Sequence, residues 1–173
     1  MYNSQLSWYN KEDVLVIYTP AIPLDSKEYI FVRENEYTIL KRSQVLGQIS
    51  EQFKTIAIAG THGKTTTTGI VASIFESAGT HPGFMIGGVP QGKDHGFSLG
   101  AGEFAIFEGD EYDTSYFNKM PKFLQYGAHT GIVTAVELDH LDIYKDLNDY
   151  RKAFEFFVSE IPKEGFVFLN GDR

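Results

Sequence analysis

The sequence predicts an α/β fold built on a mostly parallel, doubly wound sheet, and three observations carry that expectation. Continuous apolar runs at 13–18, 55–59, 104–107 and 131–136 have the composition of strands buried on both faces. Amphipathic stretches, above all 64–78 and 146–159, alternate with them. One run also passes directly into Gly60-Thr61-His62-Gly63-Lys64-Thr65-Thr66, a strand, glycine turn and helix start in immediate succession.

In chain order, the run 13–18 is expected to be a strand, followed by a loop from Pro20 to Pro23. A helix over 24–34, a short strand at 37–40 and a helix from Ser43 to Gln52 complete a first α/β segment. The alternation restarts at Lys54 with the strand 55–59 and a helix from Lys64 to Ala78, its Ile70, Val71, Ile74 and Phe75 facing inward and Gly79 as C-cap. A strand at 84–86 opens a glycine-rich loop that runs to Gly102. The strands 104–107 and 131–136, the helix 146–159 and a last strand at 165–169 follow. The expected division is 1–52 and 53–173.

Composition bounds the function. With 173 residues, 42% hydrophobic, the chain can bury a core of its own. The apolar runs are far shorter than the ~20 residues of a membrane span, and residues 1–8 lack the features of a secretory leader, so a cytoplasmic protein is expected. A net charge of −8 argues against general nucleic-acid or anionic-membrane binding. Without cysteine there is no thiolate metal site and no cysteine nucleophile; any metal must use oxygen and imidazole ligands.

The glycine turn points to a polyphosphate, and hence to ATP. Glycines let the backbone approach phosphate, amides at the helix start face the anion, Lys64 adds a point charge, and the Thr65 hydroxyl can reach Mg²⁺. The commonest P-loop places a glycine six residues before its lysine; Ile58 stands there, leaving the shorter G-x-x-G-K-T-T form. The eight-residue glycine loop of P-loop kinases and GTPases is therefore missing. In parallel sheets ligands gather at the carboxyl ends of the strands, and two further ends are rich in chemistry: Glu108 to Asp113 and Glu137 to Asp142. Thr65, Glu108 and His140 supply a hydroxyl, a carboxylate and an imidazole, enough for a Mg²⁺ that keeps most of its waters. His62 lies inside the turn and can touch either phosphate or its own loop. His129 is expected to be exposed.

Together, Gly60-Thr61-His62-Gly63-Lys64-Thr65-Thr66, Glu108-Gly109-Asp110-Glu111-Tyr112-Asp113 and Glu137-Leu138-Asp139-His140-Leu141-Asp142 resemble the motifs of the Mur ligase family of ATP-dependent amide-bond-forming enzymes. The stretch 108–119, then Pro121-Lys122-Phe123, with Gly87-Gly88-Val89-Pro90, is most similar to the branch that recycles murein peptide. That branch joins L-alanyl-γ-D-glutamyl-meso-diaminopimelate to UDP-N-acetylmuramate. The branch that adds L-alanine to the same acceptor is the alternative, and a nucleotide-binding fragment without activity is an alternative of another class.

The resemblance implies that 1–52 ends a Rossmann-like UDP-sugar domain, that 53–173 begins the central ATPase domain, and that the C-terminal domain is absent. It further implies attack of the acceptor carboxylate on the γ-phosphate of ATP, then of the amine on the resulting acyl phosphate. Gly60, Thr61, His62, Gly63, Lys64, Thr65 and Thr66 would hold ATP; Thr65, Glu108 and His140 would hold Mg²⁺; Lys64 and His140 would be catalytic. One departure is Ala135, where relatives often carry asparagine. Oligomeric state is left open.

Overall fold

The computed structural model describes residues 9–19, 21–109, 113–115, 118–137 and 146–171. Its centre is a six-stranded sheet in the order β10-β9-β3-β6-β4-β5, formed by β3 (Lys54–Ala59), β4 (Gly83–Met85), β5 (Phe97–Ser98), β6 (Phe104–Glu108), β9 (Thr130–Val133) and β10 (Phe166–Leu169). Every pair is parallel except β4 with β5. A parallel pair, β1 (Leu15–Tyr18) with β2 (Thr38–Lys41), and an antiparallel pair, β7 (Asp113–Ser115) with β8 (Asn118–Pro121), stand apart from it. The α-helices are α1 (Lys27–Glu34), α2 (Arg42–Ser50), α3 (Lys64–Ser77) and α4 (Leu147–Glu160).

Alternation along β3 divides the core. Ile56 and Ile58 face α3 together with Ile106, Phe84 and Ile86, and the small Ala72 of the helix lets these large side chains seat against it. Ala57 and Ala59 point to the other face, where their small size makes room for Phe107, Phe123, Tyr126, Tyr150, Phe154 and Phe157. The rings there meet edge-on or stacked at 5.1–5.5 Å, and they come from α4, from Phe107 of β6, and from Phe123 and Tyr126 in and just after the turn at Lys122–Gln125. Both faces of β3 are therefore closed, and the turn that follows it springs from the best-buried strand of the sheet.

Several expectations change. Ile70 and Ile74 point outward, 55% and 59% exposed, whereas Val71 and Phe75 pack on the core beside the buried Thr68 and Ala72. Apolar character alone suggests all four as the inward stripe; the helix instead presents to the sheet the line through 68, 72 and 75. The run 13–18 reads as a strand buried on both faces, but Leu15 and Ile17 of β1, which share one face of the strand, are exposed. Within the glycine-rich loop β5 adds an antiparallel strand, closed at its base by Ile86 N–H donating to Gly96 O at 2.8 Å. The strand expected at 131–136 is Thr130–Val133; Thr134 and Ala135 continue as loop and serve the site. His129, expected to be exposed, is half-buried, with its amide donating to Thr55 O at 2.9 Å.

Candidate functional site

The helix α3 begins against its own sequence preferences. Four consecutive threonines, Thr65 to Thr68, are poor helix formers, and the N-cap is Gly63 at φ 79°, with no side-chain cap. An acidic or hydroxyl cap would occupy the space in which an anion meets the helix-start amides, so the glycine leaves that end open. Gly60 is required for a different reason. Its φ is 131°, and a Cβ there would collide with Thr134 Oγ1 and lie 2.9 Å from both Ala135 N and Ala135 O.

The turn is braced by the loop after β9. Thr61 N–H donates to Ala135 O at 2.8 Å, and Thr134 Oγ1 donates to His62 O at 2.6 Å and lies 3.2 Å from Ala59 O. Lys64 Nζ lies over the turn, donating to Gly60 O at 2.6 Å and to Thr61 O at 3.3 Å. The His62 ring is exposed, 3.8 Å from the Glu137 carboxylate.

The strand end at Glu108 meets the turn as well as the one at Glu137. Glu108, the last residue of β6, accepts from Thr65 Oγ1 at 2.7 Å through one carboxylate oxygen and from Gly87 N–H at 2.6 Å through the other. The neighbouring backbone is set by Gly109 N–H donating to Ile58 O at 2.7 Å. Adjacent parallel strands, Ile58 in register with Glu108, bring the carboxylate beside the helix start. A hydroxyl and a carboxylate 2.7 Å apart, next to a lysine at a helix N-terminus, are hard oxygen donors of the kind Mg²⁺ takes when it accompanies phosphates. They fit that ion, and Thr65 and Glu108 are the residues that would hold it. Among the described residues no cluster of three or more His, Asp or Glu side chains adds to them. His140 lies outside the described residues, as do Asp110, Glu111, Tyr112 and the rest of 138–145.

Some of the site lies beyond what the sequence motifs indicate. Gly87 contributes an amide, Thr134 a hydroxyl bridge, and Tyr150 a phenol that lies 3.1 Å from Thr61 Oγ1. Sequence periodicity places Tyr150 only on the apolar face of its helix; the hydroxyl among Phe154 and Phe157 is the signal that could have found it. Two clefts flank α3. One of about 800 Å³ is lined by Thr65, Thr66, the exposed Ile70 and Ile74, and Val89 and Pro90; another of about 540 Å³ is lined by His62, Gly63, Thr67 and Thr134.

The profile described as Mur ligase middle domain matches residues 58–173. The chain belongs to the Mur ligase family. It is 40% identical over 162 residues to UDP-N-acetylmuramate–L-alanine ligase of Syntrophomonas wolfei, a match that covers 93% of this chain and 33% of that protein. The crystal structure of UDP-N-acetylmuramate:L-alanyl-γ-D-glutamyl-meso-diaminopimelate ligase from Neisseria meningitides superposes with a TM-score of 0.84 at 30% identity, over 92% of this chain and 52% of that one. UDP-N-acetylmuramate–alanine ligase from Thermotoga maritima gives 0.72 at 30% identity, over 89% and 34%. The chain thus spans about a third of the length of the curated relatives it matches. The mostly parallel sheet with its glycine turn is the central-domain fold of this family.

Proposed function

We propose that the complete protein is an ATP-dependent ligase that joins a murein tripeptide, L-alanyl-γ-D-glutamyl-meso-diaminopimelate, to the carboxylate of UDP-N-acetylmuramate through an acyl phosphate. The observation that carries the ATP-dependent chemistry is the set formed by Lys64, Thr65 and Glu108, in which a cation, a hydroxyl and an oriented carboxylate surround the open start of α3. Residues 1–52 then correspond to the end of a UDP-sugar domain and 53–173 to the first part of the ATPase domain. Cytoplasmic precursors would be its substrates, in keeping with described residues that include no helix long and apolar enough to cross a membrane.

In phosphoryl transfer the protein contributes position and charge more than covalent chemistry. Lys64 would exchange its bonds to Gly60 O and Thr61 O for β- and γ-phosphate oxygens, and the amides at the start of α3 would face the same anion. Thr65 and Glu108 would hold Mg²⁺, which when bound neutralises phosphate charge. The Gly87 amide keeps one Glu108 oxygen turned away, so the other points at Thr65. His62, exposed at the rim, and His140 complete the expected set.

Choice of the tripeptide rests on 108–123 and on the fit to the Neisseria enzyme. The 40% identity to an L-alanine ligase favours a second reading, in which L-alanine is the amine. Incubating the complete protein with ATP, Mg²⁺, UDP-N-acetylmuramate and either amine, with products read by mass spectrometry, separates them. The expected result is the UDP-linked tripeptide with stoichiometric ADP. Product from L-alanine alone would establish the second reading, and no ADP with either amine would overturn both.

A further inference from the structure

We infer that Tyr150 is a positioning residue that clamps the phosphate turn to the loop opened by Glu137, an inference that rests on the nucleotide assignment above. Tyr150 sits on α4, on the far side of the sheet from α3, and is fully buried. Its ring meets Phe154 edge-on at 5.1 Å within a cluster whose other rings are Phe107, Phe123, Phe157 and Tyr126. Packing by itself asks for no hydroxyl at this position.

The hydroxyl is accounted for at Thr61. Thr61 Oγ1 lies 3.0 Å from Glu137 N, 3.0 Å from Glu137 O and 3.1 Å from Tyr150 Oη. A threonine hydroxyl has one proton and two accepting lone pairs. The Glu137 amide can only donate and the Glu137 carbonyl can only accept. The Thr61 proton therefore goes to Glu137 O, one lone pair receives Glu137 N–H, and the other receives the phenol proton. With the single Thr61 proton on Glu137 O, Tyr150 is the donor in this contact.

Thr61 N–H is meanwhile bonded to Ala135 O at 2.8 Å. The amide and the hydroxyl of Thr61 thus hold 135–137 against the turn, and the phenol helps to fix the rotamer in which the hydroxyl can do so. The clamp ties together three segments distant in sequence: the turn that would carry phosphate, the entrance to the loop containing His140, and the helix α4. Removing the phenol oxygen leaves a buried acceptor unmatched and frees the Thr61 rotamer, which loosens the turn amides and Glu137 together.

Mg-ATP titrated calorimetrically into the complete protein tests this, with a thermal melt of each variant to establish that it is folded at the titration temperature. Tyr150→Phe should raise Kd about 3- to 10-fold, as expected for a lost buried hydrogen bond. Thr61→Val should weaken binding at least as much, and the double variant no more than Thr61→Val alone, because both remove one shared interaction. Thr61→Ser, which keeps the hydroxyl, should stay within about twofold of wild type. A Tyr150→Phe protein with wild-type Kd overturns the inference, as does a double variant whose two effects multiply. If Tyr150→Phe does not fold, the Thr61 pair decides: equal affinities for the Val and Ser variants overturn it. A wild-type protein that binds no Mg-ATP overturns the nucleotide assignment itself, which is distinct from a wild-type protein that binds and a Tyr150→Phe variant that binds equally well.

Discussion

Strands β3 and β10 run parallel in one sheet and occupy opposite situations in it. The segment Phe166–Leu169 is the more hydrophobic of the two, yet its four residues are 37–63% exposed, whereas Thr55 to Ala59 are at most 6% exposed. The difference is position. β3 lies between β9 and β6 and is covered by α3 on one face and by the aromatic cluster on the other; among the described residues β10 is outermost, paired on one side only. A loop can be held to the tolerance that phosphate binding needs only if the strand beneath it cannot shift, and it is β3 that bears the glycine turn. Hydrophobicity sets what a strand can bury, while its place in the sheet sets what it can support.

Substitutions at the two strands should separate this idea from simple composition. The largest effect is expected at Ile58→Ala, which empties space between β3 and α3 and should cost about 3–4 kcal/mol, seen as a fall of roughly 10 °C in melting temperature. Gly60→Ala should follow with about 2–3 kcal/mol, since its Cβ meets backbone at a φ of 131°, and Mg-ATP affinity should fall with it in a calorimetric titration. Glu108→Gln keeps the Gly87 contact but removes the charge; ATP affinity with Mg²⁺ present should fall about tenfold, with little change without the metal. Phe168→Ser on β10, made in the 173-residue chain itself, should move the melting temperature of that chain by less than about 2 °C, because there the side chain is exposed and has little burial to lose. A Phe168 effect as large as that of Ile58 would break the comparison.

The same contrast explains what is legible in the sequence. The run 55–59, the turn and its lysine can be read directly because strand, glycine and helix start are local signals. Thr65 and Glu108 are legible as separate candidates, and pairing of β3 with β6 brings them within 2.7 Å. The orientation of α3 is not: Ile70 and Ile74 look like core residues, and only the sheet's placement of Thr68 and Ala72 shows that they are not. Tyr150 is hidden for a related reason. A phenol on an apolar helix face reads as packing until a partner 89 positions away comes within hydrogen-bond distance. The strand β5 escapes because two residues in a glycine-rich loop carry no periodicity.

The most direct test of a phosphate site built on β3 is calorimetric titration of Mg-ATP into the wild-type complete protein and into Lys64→Ala. Nζ is the one positive charge that the structure places over the turn among the described residues, held by Gly60 O and Thr61 O. Wild type should bind one nucleotide, and Lys64→Ala should bind at least tenfold more weakly, as expected for loss of a charge-assisted contact of about 1.5–3 kcal/mol, with a thermal melt establishing that the variant is folded at the titration temperature. Equal affinity in the two proteins would contradict a phosphate site at this turn.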